Sequence, residues 1–436
     1  MAGNVETLGT LERRVSMSVP VADIERQVGE RLKKLARDVR MPGFRPGKVP
    51  MKMVEQTYGP QVRNEVLGDA VQKSFSDAVR QANLKVAGYP KIEAKGEPND
   101  KALEFSATFE IYPEVKVGDL AAAAIERPKL EVTDADVDKT IEILRKQRTR
   151  FVGTTRAARD GDRLTVDFSG SIDGQPFEGG SASSFQFPLG QGGMLPEFEA
   201  AARGMSVGES KRFTLKFPDD YHGKAVAGKQ AEFELTLKGI EEPQLPALDA
   251  EFAKALGVAD GDIAKMRSEV RANVEREVKK RVDARLKQQA LQVLLDSTPL
   301  DLPKALVESE SQQLAERAAA DLQARGVKPE QLPGLNINPA TFAESAKRRV
   351  ALGLIIGELA RSESLQPKPA EVRAMVEQEA QTYESPAEVV KWFYMQPQRL
   401  QEMEGAALEA NVVKWVLSKA RVSDKDIAFD ELMGAS

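Results

Sequence analysis

The first part of the chain combines two apolar periods. Val15, Met17 and Val19 alternate with polar residues, as the residues of a half-buried strand do. The apolar residues from Val21 to Val39 instead follow helical spacing. This helix is predicted to end before residues 43–50, which hold two glycines and two prolines and therefore favour neither a helix nor a central strand.

A second helical stretch follows from Lys52 to Asn83, and the Gly59-Pro60 pair is a candidate break within it. Strand alternation returns from Leu103 to Ile111, where five apolar residues alternate with polar neighbours. We therefore predict that residues 1–115 form one α+β domain.

The middle of the chain changes its pattern twice. Residues 116–150 predict a connector whose helix begins near Thr133, because Thr-Asp-Ala-Asp is typical of a helix N-cap. Residues 151–243 switch to short strands separated by glycine and proline turns. Pro243, Pro246 and the acidic residues before them predict a linker to the next domain.

From residue 247 to residue 436 the pattern is almost entirely helical. The first long helix carries a narrow apolar stripe among dense charges, at Ile263, Val270, Val274, Val278, Val282 and Leu286. Such a stripe usually packs on another helix, and the alternative is an arm whose partly exposed stripe holds unfolded chains. The same two interpretations apply to the Trp392-Phe-Tyr-Met395 run.

Composition excludes several kinds of site. At 436 residues the chain exceeds what one core usually supports, so two to four domains are expected. It contains no cysteine, which removes disulfides, thiolate metal sites and thiol nucleophiles. The N-terminus has no basic segment followed by an apolar run, and no stretch approaches the roughly 18 apolar residues of a membrane span. We expect a cytoplasmic protein without membrane contact.

The net charge of −5 argues against nucleic-acid binding, but the charges are distributed unevenly. Between Glu25 and Lys52 three anions accompany nine cations, which are Arg26, Arg31, Lys33, Lys34, Arg37, Arg40, Arg45, Lys48 and Lys52. A basic face of this kind attracts a phosphate backbone without reading its sequence. By count alone a solvated helix face is the more common explanation.

The segment Gly-Phe-Arg-Pro-Gly-Lys-Val-Pro at residues 43–50 places an aromatic ring between cations in a turn. Phe44, Arg45 and Lys48 are expected to project into solvent, which favours a docking tip over a plain surface turn between helices. Nucleotide binding is excluded, because the spacing of the glycines is one residue too short for a phosphate loop and Val49 follows Lys48 where Ser or Thr is required.

This octet resembles the signature loop of the trigger factor family of ribosome-associated bacterial chaperones, and the resemblance continues along essentially the whole chain. It implies a ribosome-binding site at Gly43, Phe44, Arg45, Gly47 and Lys48. The family usually has a basic residue where this chain has Pro46, so the affinity of the loop is expected to be lower. The partners implied are an exit-tunnel ribosomal protein, adjacent ribosomal RNA, and nascent and unfolded polypeptides. The family also allows a weak homodimer off the ribosome.

Six short motifs between Asp162 and Gly239 resemble, in order, the FK506-binding-protein (FKBP) class of prolyl isomerase. They are Val-Asp-Phe-Ser-Gly (166–170), Asp-Gly-Gln-Pro-Phe-Glu (173–178), Phe-Gln-Phe-Pro-Leu-Gly (185–190), Met-Leu-Pro-Glu-Phe (194–198), Gly-Met-Ser-Val-Gly-Glu (204–209) and Tyr-His-Gly (221–223). The resemblance implies a catalytic pocket formed by Phe168, Phe177, Glu178, Phe185, Met194, Leu195, Phe198, Tyr221, His222 and Phe233.

The reaction explains why such a pocket is apolar. Rotation about an X-Pro bond meets a barrier of about 18–20 kcal/mol because amide resonance is lost, and no covalent bond breaks. A water-poor pocket favours the twisted amide, so no cofactor, metal or nucleophile is expected. The alternative, that these rings are only the core of a half-barrel, is expected to hold for Phe187 and Phe213.

Three further details concern the predicted pocket. Many members of the isomerase class have Tyr at the position of Phe168 and Trp at that of Phe198, so we expect activity but weak binding of macrolide inhibitors. His222 is the only histidine, yet isomerisation offers no proton to abstract, so we assign it to the pocket rim. Residues 190–193 are interpreted as a turn beside the pocket and not as a phosphate cradle.

The fold class expected from both resemblances is multidomain α+β. Residues 1–115 would be an α+β docking domain and residues 116–150 a connector belonging to the chaperone body. Residues 151–243 would be an FKBP-like antiparallel half-barrel with a short helix, and residues 247–436 an all-helical body with arms. The leading hypothesis is an ATP-independent ribosome-associated folding factor. The alternatives are a holdase with a silent middle domain and a free isomerase acting on completed proteins.

Overall fold

The computed structural model describes most of the chain. The described residues are 5–42, 44, 48–95, 101–221, 223–224, 226–326, 337–381, 383 and 385–434. They divide into two compact units that are each discontinuous in sequence. The first unit joins Met1–Arg127 to Asp283–Lys425, and the second joins Pro128–Val282 to Asp426–Ser436.

The first unit begins with a four-stranded antiparallel sheet in the order β1-β2-β4-β3. Its elements are β1 (Val5–Thr7), β2 (Glu12–Pro20), α1 (Val21–Asp38), α2 (Met51–Gln81), β3 (Val86–Ala94) and β4 (Ala102–Ile111). The alternating residues Val15, Met17 and Val19 are all buried in its core. The predicted strand and first helix are therefore confirmed, whereas β1 and β3 were not anticipated.

The predicted break at Gly59-Pro60 is wrong, because α2 runs through Pro60 without interruption. Proline removes the hydrogen bond to the carbonyl four residues earlier, which here belongs to Gln56. Gln56 and Pro60 are both exposed, so this part of the helix is accessible to water. The helix tolerates the proline because water can replace the missing donor.

The rest of the first unit is helical apart from one strand pair. It contains β5 (Ala124–Lys129), α7 (Lys304–Ala324), a 3-10 turn (Pro339–Phe342), α8 (Ala343–Ser362), α9 (Pro369–Ala380), α10 (Pro386–Met395), α11 (Pro397–Lys419) and β11 (Arg421–Asp426). Strand β11 pairs with β5. The all-helical expectation for residues 247–436 is therefore wrong at this strand.

The second unit contains a five-stranded antiparallel sheet in which β6-β10-β7-β8 lie in order and β9 also pairs with β10. Its elements are α3 (Asp134–Gln147), β6 (Arg150–Thr154), β7 (Arg163–Ile172), β8 (Gln175–Pro188), α4 (Pro196–Ala202), β9 (Ser210–Lys216), β10 (Gln230–Gln244), α5 (Ala250–Ala255), α6 (Ile263–Ser297) and α12 (Phe429–Met433). The long helix α6 continues from this unit into residues of the first.

Strand β10 corrects the predicted linker. Its last residues pair with β6, with Pro243 opposite Phe151 and Gln244 opposite Arg150. Proline is compatible with a strand here because the end of β10 pairs with β6 alone beyond Glu241, which leaves one side without a ladder. The first and last residues of the segment from β6 to β10 are therefore neighbours on adjacent strands.

The apolar stripe of α6 is buried, which confirms the packing interpretation. Val270, Val274 and Val278 lie in a core shared with α3, and Ile263 and Val282 pack against it. Leu286 is buried as well. The alternative, an exposed stripe that holds unfolded chains, is wrong for this helix because its apolar face is already covered.

Candidate active site and interaction surfaces

A cluster of phenylalanine rings surrounds Phe198 in the core of the unit that holds the five-stranded sheet. Phe198 lies on α4, is 2% exposed, and meets Phe168 edge to face at 5.4 Å between ring centroids. It meets Phe233 in the same way at 6.0 Å. Such edge-to-face contacts fix the orientation of each ring, because the positive edge of one ring faces the negative face of the next.

A cavity of about 660 Å³ opens beside this cluster. It is lined by Phe168, Phe177, Glu178, Gly179, Gly192, Gly193, Met194, Leu195, Pro196, Phe198, Leu215, Phe217, Tyr221, Gly223, Val226 and Phe233. Its size lies within the range of small-ligand pockets, and its lining is predominantly apolar. Glu178 is the only carboxylate among the described lining residues.

Eight of the ten predicted pocket residues line this cavity. Phe185 does not line it, although its ring lies 5.8 Å from that of Phe168 and is 37% exposed. Phe185 is therefore a ring that flanks the cavity, and its part in the pocket stays a prediction. His222 lies outside the described residues. Phe187 is buried in the core and Phe213 is partly buried against it, as expected of core residues.

Several lining residues were not anticipated from the sequence, and Leu215 and Phe217 are the largest of them. Both follow Phe213 at intervals of two along β9 and its end, so they face the same side of the sheet as that core residue. Phe217 meets Phe177 at 5.9 Å and Tyr221 at 4.9 Å between centroids. The alternation Phe213, Leu215, Phe217 was the signal that could have identified them.

A buried carboxylate stabilises the base of the same sheet. Asp162 is 1% exposed and accepts two hydrogen bonds of 2.7 Å from the Arg156 guanidinium and one of 2.8 Å from the Arg159 backbone N–H. Burial disfavours the charged form, but these hydrogen bonds outweigh it, so the pKa of Asp162 lies below its ordinary value of 3.8. Arg156 also donates to Glu242 at the end of β10.

The predicted docking loop is only partly described. Phe44 is 36% exposed and Lys48 is exposed, whereas Gly43, Arg45 and Gly47 lie outside the described residues. On α1, Arg26 pairs with Asp23 and Glu30, and Arg31 pairs with Asp69. Of the described cations between Glu25 and Lys52, those without an ion pair to another described residue are Lys33, Lys34, Arg37, Arg40, Lys48 and Lys52. The basic face therefore lies toward the end of α1 and the loop after it.

A second exposed aromatic surface lies on α10. Trp392 is 45% exposed, Tyr394 46% and Met395 81%, whereas Phe393 between them is buried. The Arg399 guanidinium lies over the Trp392 ring at 3.1 Å from its centroid. A cleft of about 620 Å³ adjoins this surface, with Tyr394, Leu400 and Val372 among its lining residues.

Two features are absent from the part of the chain that the structure describes. No group of three or more histidine, aspartate and glutamate side chains there is arranged to hold a metal ion. No helix in the described ranges is both long and apolar enough to cross a membrane.

Three family models match successive parts of the chain. The model described as bacterial trigger factor protein matches residues 1–144, and its C-terminal counterpart matches residues 262–418. Between them, the model of FKBP-type peptidyl-prolyl cis-trans isomerase matches residues 154–238. The matched isomerase segment contains every predicted pocket residue.

Curated relatives match over their whole length. A trigger factor of Aromatoleum aromaticum is 56% identical over 429 residues, which cover 98% of this chain and 98% of the relative. A trigger factor of Nitrosospira multiformis is 55% identical over 438 residues, which cover all of both chains. A solved structure described as a study of promiscuous substrate recognition by the trigger factor chaperone is 17% identical, with a TM-score of 0.46 and coverage of 95% of this chain and 99% of the other.

Proposed function

The chain belongs to the trigger factor family of chaperones and carries an FKBP-type peptidyl-prolyl cis-trans isomerase domain, and on that premise we propose that it works at the ribosome. In this proposal it docks beside the exit tunnel, binds nascent polypeptides as they emerge, and isomerises their X-Pro bonds without consuming ATP. It resides in the cytoplasm, partly bound to ribosomes and partly free, where a weak homodimer forms.

The observation that carries the docking proposal is the exposed ring of Phe44 beside cations that have no ion pair among the described residues. An exposed aromatic residue next to Lys48 and the end of α1 offers an apolar anchor together with charges that pair with phosphate. Arg45 adds a further cation to the same loop. The proposed partners are therefore a ribosomal protein, which receives the ring, and adjacent ribosomal RNA, which receives the charges.

We assign isomerisation to the cavity around Phe198. The proline ring of the client would enter among Phe168, Phe198 and Phe233, where water is excluded and the planar amide loses its hydration. The twisted amide is less dependent on that hydration, so the pocket lowers the rotational barrier. The only described carboxylate of the lining, Glu178, lies in an exposed position and leaves the apolar interior uncharged.

Client binding is assigned to the exposed residues of α10. Trp392, Tyr394 and Met395 present apolar surface among charged neighbours, which suits weak binding of many sequences without aggregation. Helix α6 does not serve this role, because its stripe is buried. The aromatic residues retained in the cavity, such as Phe168, Phe198 and Phe233, favour the folding factor over a holdase with a silent middle domain. The Phe44 loop favours it over a free isomerase.

Co-sedimentation with ribosomes tests the proposal directly. We expect the double variant Phe44→Ala/Arg45→Ala to bind about thirtyfold more weakly or worse, since aromatic and arginine anchors carry most of the affinity of an interface. Wild-type binding should also weaken as salt increases.

The matched control is Leu8→Ala, because Leu8 is 37% exposed in the same domain and lies outside the loop. It should bind ribosomes as the wild type does. Unchanged binding of the Phe44 and Arg45 variant, with its circular dichroism intact, would exclude this docking site.

A further inference from the structure

Glu199 is a buried carboxylate in the isomerase domain that the reaction itself does not use. It is 7% exposed and lies on α4 directly after Phe198, which lines the cavity. Burying a charged group among apolar side chains is costly unless specific hydrogen bonds compensate. The position of Glu199 therefore requires an explanation beyond filling space.

The carboxylate accepts two backbone hydrogen bonds from the loop that precedes α4. Its Oε2 accepts from the Gly190 N–H at 3.1 Å, and its Oε1 accepts from the Met194 N–H at 3.3 Å. The two donors stand at the beginning and end of a five-residue segment. One side chain thus fixes both ends of residues 190–194.

This segment forms part of the cavity wall. Gly192, Gly193 and Met194 all line the cavity, and Gly190 and Gly192 adopt left-handed backbone conformations with φ of 84° and 69°. Glycines of this kind do not hold a loop in one shape by themselves, because they lose the most conformational freedom on folding. The loop therefore depends on contacts from outside it.

We propose that Glu199 is a positioning residue for prolyl isomerisation. Its carboxylate holds the loop 190–194 at a fixed distance from Phe198. The same turn of α4 thereby fixes the positions of the Phe198 ring and of the glycine-rich wall of the cavity. The rotating amide then meets a cavity of constant width, and no reorganisation of the rim is required as the bond twists. Glu199 acts through the loop and does not touch the client.

The test compares Glu199→Gln with Glu197→Gln in the full chain. Glu197 lies on the same turn but is exposed, so it is the matched control. The Glu199→Gln substitution keeps the volume of the side chain, but only one of the two terminal atoms of an amide accepts a hydrogen bond. We expect kcat/KM on a short peptide with an apolar residue before proline to fall at least tenfold for Glu199→Gln, with most of the loss in kcat.

A spectroscopic measurement separates positioning from general stability. The amide protons of Gly190 and Met194 should exchange faster and shift upfield in Glu199→Gln, while amides of β7 and β10 remain as protected as in the wild type. Glu197→Gln should change neither activity nor these resonances. If Glu199→Gln did not fold, Glu199→Asp would serve, because it keeps the charge and shortens the reach by one methylene.

The inference rests on the proposed location of the active site, so Phe177→Ala is measured alongside. Full activity of Phe177→Ala would reject the cavity itself. Reduced activity of Phe177→Ala with full activity of the Glu199 variant would overturn the role of Glu199 and leave the cavity in place. A loss of activity without any change at Gly190 and Met194 would also overturn it.

Discussion

At the scale of single residues, the sequence predicted the site better than its surroundings. Phe168, Phe177 and Phe198 were identified through motif position, and all three line the cavity. Phe185 was assigned by motif position as well, but it lies beside the lining, next to an irregularity in the pairing of β7 with β8: Val166 pairs with Phe185, whereas Phe168 pairs with Ala182. The role of Glu199 has no sequence signal, because its partners are backbone N–H groups that every residue except proline provides.

The Asp162 carboxylate predicts how the isomerase domain responds to acid. The pKa of Asp162 is depressed in the folded protein, so its stabilising contribution is present above its ordinary value of 3.8 and is lost as the pH falls through the folded value. We expect Asp162→Asn to lower the free energy of unfolding by about 1–3 kcal/mol at neutral pH, because buried donors lose a charged acceptor.

This variant should also depend less on pH than the wild type below about pH 5. Hydrogen exchange of β7 and β10 amides, measured from pH 7 downward, reports both effects. Asp173→Asn, at the exposed turn between β7 and β8, serves as the control. Equal acid sensitivity of the wild type and Asp162→Asn would contradict the assignment.

At the scale of elements, local chemistry predicted helix starts well and chain breaks poorly. Thr133 was expected to cap a helix, and it forms a reciprocal capping box with Asp136 at the start of α3. Pro60 and Pro243 were expected to interrupt structure, yet both lie within regular elements. Proline lacks a backbone N–H and so removes one hydrogen bond. The loss is tolerated where the unpaired carbonyl can reach water, or where the strand is paired on one side only.

Strands β5 and β11 show a second limit of the sequence. They pair although nearly 300 residues separate Arg127 from Asp424, whose side chains form an ion pair at 2.6 Å. Neither segment alternates clearly enough to be recognised alone. Each short strand of such a pair is stabilised by the other strand, and the local sequence pattern does not show where a distant partner strand lies.

The cap of α3 leads to a prediction about stability. Thr133 Oγ1 accepts a hydrogen bond from the Asp136 N–H at 3.3 Å, and Asp136 Oδ2 accepts from the Thr133 N–H at 2.9 Å. Replacing Thr133 with Ala should cost about 1 kcal/mol, because a helix N–H loses its acceptor. Hydrogen exchange in the first turn of α3 measures the loss.

Thr133→Ser is the conservative comparison, since serine retains the hydroxyl and should keep most of the protection. Thr149→Ala, beyond the end of α3, should leave the first turn unchanged. Equal exchange in Thr133→Ala and the wild type would mean that tertiary packing alone holds this end of the helix.

At the scale of the whole molecule, the family and the multidomain α+β class were predictable, because motifs and the succession of periods extend along the entire chain. The predicted domain boundaries at 115, 150 and 243 remain proposals. The two compact units are assembled from segments far apart in sequence, and a linear pattern does not reveal which distant segments join. The segment from β6 to β10, by contrast, has ends that pair with each other.

That pairing makes a division of labour testable. Arg150 and Gln244 are direct antiparallel partners, so their Cα atoms lie roughly 5 Å apart and a short Gly-Ser linker can replace residues 151–243. We expect the shortened protein to suppress aggregation of an unfolded client while losing isomerase activity. The isolated segment should isomerise short peptides but act poorly on unfolded proteins. Light scattering during client refolding measures suppression.

The proposed client-binding surface on α10 is tested by substitutions in the full chain, with a matched control elsewhere on the surface. Trp392→Ser/Tyr394→Ser should weaken suppression and leave peptide isomerisation intact. Tyr89→Ser removes an aromatic residue that is 98% exposed on β3 and should leave both unchanged. Suppression by the isolated segment, with none by the shortened protein, would move client binding to the isomerase domain.

The discontinuity of the first unit has a consequence for how the protein itself is made. Gln244 completes the isomerase sheet, whereas the first unit is not complete until Lys425 has been synthesised. At about 5–20 residues per second, the roughly 180 residues between them take about 10–40 s to appear. During that interval the isomerase segment can fold, whereas the first unit still lacks residues 283–425. In a newly synthesised copy the isomerase domain is therefore complete before the first unit. During those seconds the copy is itself an incomplete chain emerging from a ribosome.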